Sequence, residues 1–270
     1  MLADTGPVLL IGAGKMGMAM AAGWVRAGLP GASLTLVDPQ PHGSVADFAR
    51  QHGATLRTDL PSETPRVVVL AVKPQMMGSV LGMIKPLVGP ETLAISIAAG
   101  ISAGGIARAL GTDRVVRTMP NTPAQIGKGI SGAFAGEAVT DADRALTENL
   151  LAAAGAVVWV GDEALIDAVT AVSGSGPAYV FHLVEAMAAA GEAQGLATEQ
   201  AMALARQTVI GAAALMEADA SPAAQLRQNV TSPNGTTQAA LDVLMASDGL
   251  GALMDRAITA ARRRSEELGQ

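Results

Sequence analysis

Glycines at 12, 14 and 17 follow the apolar run Val8–Ile11 and precede a helix-like segment over 16–27. A strand, a Gly-x-Gly-x-x-Gly turn and a helix in that order form a cradle for the pyrophosphate of a dinucleotide. Gly12 permits the tight turn, Gly14 lets phosphate approach the backbone, and Gly17 lets helix pack on strand. Free amides at the helix start favour the phosphate charge. Asp38 ends the next strand-like run, about 20 positions beyond the last glycine, where a carboxylate can accept bonds from the adenosine ribose hydroxyls. It would repel a 2′-phosphate, and no arginine follows until Arg50. This tilts the choice towards NADH over NADPH. The other reading of Asp38 is a loop cap.

Further chemistry sits at strand ends, which line the ligand crevice of a doubly wound sheet. VVVLAV ends in Lys73-Pro74-Gln75. Lys73 either positions a cofactor or is solvated. SIAAGIS (96–102) supplies small residues, Ala98 and Ala99 among them, that leave room for a flat ring. Met119-Pro120-Asn121 follows a third run. In the second half, Ser232 and Pro233 of TSPNGTT (231–237) fit the N-cap and first position of a helix. The amides after them and the hydroxyls of Thr236 and Thr237 would converge on a point that favours an anion. SGSGPAY (173–179) repeats the device, with Pro177 opening a helix. Tyr179, the only tyrosine, either serves a site or packs at that helix start. His42, His52 and His182 do not cluster, and no metal site is read.

The elements that must hold these residues fall into two grammars. Up to about residue 160, β-rich runs at 8–11, 34–38, 67–72, 92–97, 114–118 and 157–160 alternate with helix-like segments. Continuous apolar runs such as VVVLAV are expected of strands buried on both faces of a parallel sheet. Beyond Gly161 the strand pattern stops, and helices are predicted over 164–172, 177–195, 198–217, 221–228, 234–247 and 249–268. The helix at 198–217 is apolar nearly all round, which requires burial. The reading is an α/β dinucleotide-binding domain (1–161) followed by an all-helical substrate and dimerisation domain (162–270).

Composition bounds the function. Only 2% of residues are aromatic although 50% are hydrophobic, so small and aliphatic side chains must build the core, and an Ala-rich helical surface suits burial against a second copy. A net charge of −6 argues against general nucleic-acid affinity. The absence of cysteine excludes disulfides, thiolate metal sites and a Cys nucleophile, and suits a cytoplasmic setting. The first residues lack the basic region of a signal peptide. No apolar run of about 18 residues escapes Gly, Ser or Pro, so no membrane span is expected.

GAGKMG, AVKPQ, SIAAGIS, RTMPNTPAQIGKGI, AVSGSGPAYVFHLVEA and VTSPNGTTQAAL occur in an order and spacing that resembles the pyrroline-5-carboxylate reductases along nearly the whole chain. SGSGPAYVF and TSPNGTT are the specific segments. The resemblance implies a Rossmann-type, mostly parallel sheet, a C-terminal helical domain forming homodimers or decamers, and reduction of L-1-pyrroline-5-carboxylate to L-proline by NADPH or NADH. It places cofactor at Gly12, Ala13, Gly14, Lys15, Met16, Gly17, Asp38, Ala71, Val72, Lys73, Pro74, Ala98, Ala99, Met119, Pro120 and Asn121. It places substrate at Glu163, Ser175, Asn229, Ser232, Asn234, Gly235, Thr236 and Thr237, with Thr237 nearest the imine nitrogen. For Glu163, orienting the nitrogen and capping a helix both remain open. Lys15 stands where the family has Asn, and Asn234 where it has Gly; Asn tolerates a left-handed backbone. A β-hydroxyacid dehydrogenase would need a lysine in the helical half, and none follows Lys128. A non-catalytic dinucleotide sensor would not need both specific segments.

Overall fold

The computed structural model describes residues 2–269. β1 (Val8–Ile11) runs through the glycine turn into α1 (Lys15–Arg26). Next come β2 (Leu34–Val37), α2 (Gly43–His52), β3 (Thr55–Arg57), β4 (Val67–Leu70), α3 (Pro74–Ile84), β5 (Leu93–Ser96), α4 (Ala103–Leu110) and β6 (Val115–Met119). β7 (Gly129–Ala135), α5 (Asp141–Ala152) and β8 (Gly155–Trp159) complete one sheet of order 3-2-1-4-5-6-7-8. Its neighbours are parallel except β6 with β7. Val8 pairs with Leu34 on one side and Val67 on the other, so the strand order reverses beside β1. Such a switch point opens a crevice at the carboxyl ends of the strands.

Two apolar layers sandwich this sheet, and the strand period of two assigns residues to each. Val8, Leu10, Val67 and Val69 face a core closed by Met20 and Trp24 of α1 and by Leu150 and Leu151 of α5. Leu9, Ile11, Val68 and Leu70 face a core closed by Met77, Val80, Leu81 and Ile84 of α3 and by Ile106 and Leu110 of α4. Trp24 is fully buried and its Nε1 donates to Leu150 O at 2.8 Å, which satisfies the one polar atom of the largest core side chain.

A half-buried ion pair fixes the entry to β6. Arg114 meets both Asp143 oxygens, Nε to Oδ2 at 3.1 Å and Nη2 to Oδ1 at 2.7 Å. Asp143 closes a capping box with Thr140 at the start of α5. Burial pushes the Asp143 pKa up, but the bonds from Arg114 and Thr140 outweigh it and hold the carboxyl below its ordinary value.

β3 and β7 add to the strands that the sequence pattern predicts. β3 has only three residues. β7 reads GISGAFA, in which Ile130 and Phe134 stand alone among Gly, Ser and Ala and so mark a strand only weakly. Its glycines answer to packing: a Cβ on Gly132 would come within 2.5 Å of the Val169 side chain in α6 (Leu165–Val169). α3 begins at Pro74, ahead of the Ser79 start the pattern suggests, because proline suits the first turn of a helix.

No strand follows Trp159 among the described residues. After α6 comes a π-helical turn (Thr170–Gly174), then α7 (Gly176–Ala193), α8 (Thr198–Ala218), α9 (Ala223–Asn229), α10 (Thr236–Leu244) and α11 (Leu250–Leu268). The chain divides into two compact units, Met1–Ser175 with Ala261–Gln270, and Gly176–Ala260. Within the second, Val184 and Ala188 of α7 pack on Ala201 and Ala205 of α8. The small residues bring these helices close, but little else is covered. The expected burial of α8 is not met within one chain: Leu204 is 58% exposed and Ile210 50%.

Candidate active site

The glycine turn has the geometry its spacing predicts. Gly12 has φ +96, and a Cβ there would lie 2.7 Å from Ala71 O. A Cβ on Gly17 would lie 2.4 Å from Gly12 O, so helix and turn touch without room for a side chain. Gly14 differs: nothing lies within 4 Å of its would-be Cβ. It is the N-cap of α1 with no capping side chain, which leaves first-turn amides open towards an anion. Lys15 is exposed, whereas Met16 packs its side chain into the core.

Beside this turn is a cleft of about 670 Å³, roomy enough for much of a dinucleotide. Gly12, Gly14, Asp38, Ala71, Val72 and Lys73 line it together. The carboxylate of Asp38 accepts from Ala13 N at 3.0 Å and from Gln40 N at 2.9 Å, so it caps the loop and faces the cleft together. Lys73 is the N-cap of α3 and Pro74 its first residue. The sequence reading missed the far wall: Thr58, Asp59 and Leu60 after β3, and Met76, Ser79, Val80 and Met83 of α3. Thr58–Leu60 follow the missed β3 and Met76 precedes the assigned helix start, whereas Ser79, Val80 and Met83 lie within the predicted helix, whose pattern does not mark the side that meets the cleft.

Farther along the carboxyl edge of the sheet, β5 ends at Ser96, and Ala98 and Ala99 lie in the loop after it. Ala98 packs in the α3–α4 core, and Ala99 is half-exposed. β6 ends at Met119, and Pro120 and Asn121 follow it. Asn121 is buried and both ends of its amide are engaged: Oδ1 accepts from Ile130 N at 2.9 Å and Nδ2 donates to Ser173 O at 3.2 Å. The second bond has a local cause. Proline at 177 removes the amide that would reach the Ser173 carbonyl four residues back, and Asn121 supplies the missing donor. Ser175 closes the π-helical turn, its N–H donating to Thr170 O at 2.8 Å. Single π turns inside helices recur at functional sites.

Glu163 lies elsewhere in this unit. Its Oε1 accepts from Ala103 N at 2.6 Å, capping α4, and from Arg117 Nη1 at 3.1 Å. Among the described residues no His, Cys, Asp and Glu group is arranged to hold a metal.

In the second unit the polar interruption folds differently from the sequence reading. Ser232 is not a helix cap. Its carbonyl accepts from Gly235 N at 3.1 Å in a tight turn, and Gly235 is the N-cap of α10. Thr236 and Thr237 therefore begin the helix, and no side chain caps the first-turn amides. Asn229 ends α9, its Oδ1 accepting from Gln225 Nε2 at 2.8 Å.

The chain is 43% identical over 274 aligned positions to the pyrroline-5-carboxylate reductase of Pseudomonas aeruginosa, covering 99% of this chain and 98% of that one. It belongs to the pyrroline-5-carboxylate reductase family. A family model described as pyrroline-5-carboxylate reductase dimerisation matches residues 163–268, and one described as NADP oxidoreductase, coenzyme F420-dependent, matches residues 7–100. The solved pyrroline-5-carboxylate reductase of Coxiella burnetii superposes with a TM-score of 0.92 at 36% identity, covering 99% of this chain and all (100%) of that one. The Plasmodium falciparum reductase, solved with NADP bound, gives 0.81 at 28% identity, covering 98% of each chain.

The departures from the reductase pattern are both accommodated. Asn234 has φ 60, the one left-handed non-glycine among the described residues, so it adopts the backbone that the family's glycine would provide. Lys15 opens α1 with its side chain in solvent.

Proposed function

We propose that the chain reduces L-1-pyrroline-5-carboxylate to L-proline with NADH or NADPH, the last step of proline synthesis. The observation that carries this is the 43% identity to a pyrroline-5-carboxylate reductase along the full chain. The cleft of about 670 Å³ with an open Gly14 supports the cofactor. Bound NAD(P)H supplies a hydride to the imine carbon. The π electrons of the C=N bond go to nitrogen, which keeps the proton it carries as an iminium, and a secondary amine results. Pyrroline nitrogen is basic enough to be protonated appreciably near neutral pH, so no strong general acid is needed. Positioning and preorganised charge then carry most of the rate.

The chain's own residues divide the work. The turn at Gly12–Gly17 and the first amides of α1 hold the pyrophosphate. Asp38 holds the adenosine ribose and leans the choice to NADH; Ala71–Pro74 line the same cleft. Ala98, Ala99 and Met119–Asn121 border the nicotinamide, Asn121 through its backbone because its side chain is engaged. Substrate falls to Ser175, Asn229 and the segment Ser232–Thr237, where uncapped amides of α10 suit a carboxylate and Thr237 stands nearest the nitrogen. Glu163, which the resemblance places at the substrate, caps α4 and meets Arg117. In this reading residues 1–161 form the dinucleotide domain and 162–270 the substrate and dimerisation domain, which is close to where the dimerisation model begins.

The exposed apolar side chains of α7 and α8, Phe181, Leu204 and Ile210 among them, support self-association, with a decamer as the larger assembly. No helix among the described residues is long and apolar enough to cross a membrane; a cytoplasmic enzyme without nucleic-acid partners fits the composition. Mixing purified protein with pyrroline-5-carboxylate and each cofactor while following nicotinamide absorbance tests the activity. Oxidation of neither cofactor refutes it. Light scattering at the same time should return at least a dimer mass.

A further inference from the structure

Arg117 on β6 is a buried cation that the proposed chemistry does not use. Its guanidinium sits among groups from three other places in the chain, all within the first compact unit. Nη1 donates to Glu163 Oε1 at 3.1 Å, and the same oxygen caps Ala103 N at the start of α4. Nη2 lies 3.8 Å from Asp167 Oδ1 in α6. That oxygen accepts from Ser265 Oγ at 2.6 Å, near the end of α11. Ser265 is buried as well. Arg117 Nε finds no hydrogen-bond partner among the described residues, so the two carboxylates alone compensate this charge.

The polar chain closes around one loop. Residues 97–102 connect β5 to α4 and carry Ala98 and Ala99. Glu163 grips the loop where it enters α4. The tail of α11 grips its middle: a Cβ on Gly100, whose φ is +73, would lie 2.8 Å from Leu268 O. Loops of small residues have few side-chain contacts to hold their shape, and cofactor binding then bears the ordering cost. Here Arg117 orders the loop beforehand through Glu163 on one side and through Asp167, Ser265 and the α11 tail on the other.

We propose that Arg117 is a positioning residue for the nicotinamide half of the cofactor, with Asp167 and Ser265 tying the end of α11 to it. This rests on the reading that the β5–α4 loop borders the nicotinamide. The adenosine half is read by a different part of the sheet, at β1, β2 and α3, which gives the test its contrast.

Dissociation constants for NADH and for ADP-ribose, which lacks nicotinamide, are measured on the full-length protein without substrate. Arg117→Gln should weaken NADH about tenfold, the scale of a lost charged hydrogen bond, and leave ADP-ribose unchanged. Arg117→Lys, which keeps the charge but not the fork, should fall between wild type and Gln. Ser265→Ala should weaken NADH in the same direction, about threefold. Equal weakening of both ligands would mean general damage to the domain and overturns the proposal, as does NADH binding that none of the variants changes. Should Arg117→Gln fail to fold, Asp167→Asn and Ser265→Ala carry the same contrast. Failure of the reductase reading shows separately, as a wild-type protein that binds NADH and does not oxidise it with the imine.

Discussion

Asp38 Oδ2 accepts a hydrogen bond from Ala13 N at 3.0 Å, tying the end of one strand to the turn after its neighbour. The carboxylate thus shapes the phosphate turn and presents negative charge to the cleft. Asp38→Asn keeps an acceptor for Ala13 and removes the charge. The rate ratio of NADPH to NADH should rise about tenfold, with little change in melting temperature. An unchanged ratio removes Asp38 from cofactor selection.

Gly14 and Gly17 separate ligand space from packing space. Gly14→Ala meets open space, so the fold should melt normally while dinucleotide affinity falls. Gly17→Ala places a methyl 2.4 Å from Gly12 O, so stability itself should drop, by about 1–3 kcal/mol. Thermal melting with NADH titration on both variants checks this. A Gly14→Ala protein with full affinity moves the phosphate elsewhere.

The Arg114–Asp143 pair sets a dependence on acid. The folded pKa of Asp143 lies below its ordinary value of 3.8, so its contribution is complete above that value. It is lost as pH falls below 3.8 through the folded pKa. Asp143→Asn removes the two-oxygen partner of Arg114, which keeps Glu91 at 2.9 Å, and should cost about 1–3 kcal/mol at neutral pH. Denaturant midpoints at successive pH values should converge for variant and wild type in acid. Parallel curves would assign the acid response to other groups.

At the start of α10, backbone and side chain make separate contributions. Asn234→Gly keeps the left-handed turn and should leave turnover near wild type. Asn234→Val should cost about 1–2 kcal/mol of local strain and raise the KM for the imine. Thr237→Ala should lower kcat while cofactor affinity holds. Normal imine reduction by Thr237→Ala would displace the residue from the reacting nitrogen.

What could be read in the sequence follows from where its pattern is redundant. Val8–Ile11 and Val67–Leu70 are apolar on both faces and bounded by turns, so the central strands and the glycine cradle were legible. β7 was not, because Gly132 answers to Val169, a partner that only the fold brings near. Part of the far wall of the cleft was hidden for a similar reason: Thr58 and Met76 acquire meaning once β3 and the Pro74 start of α3 are placed. Ser232 shows a third limit. Ser-Pro is a good start for a helix, yet the left-handed Asn234 two residues later delays the helix to Thr236. The helix at 198–217 shows a fourth limit: its all-round apolar pattern predicts burial, yet within one chain only Ala201 and Ala205 are covered while Leu204 and Ile210 stay exposed.

Asn121 gives the Ser173 carbonyl a donor, where Pro177 has no amide to offer. Their coupling has a measurable signature. Asn121→Ala leaves that carbonyl without its donor, and Pro177→Ala gives it a backbone amide, so the double variant should be more stable than the Asn121→Ala single. A thermodynamic cycle on the two positions should return a coupling of about 1 kcal/mol. Drift at either site would then be tolerated mainly when the other moves with it, so the two residues should change as a pair.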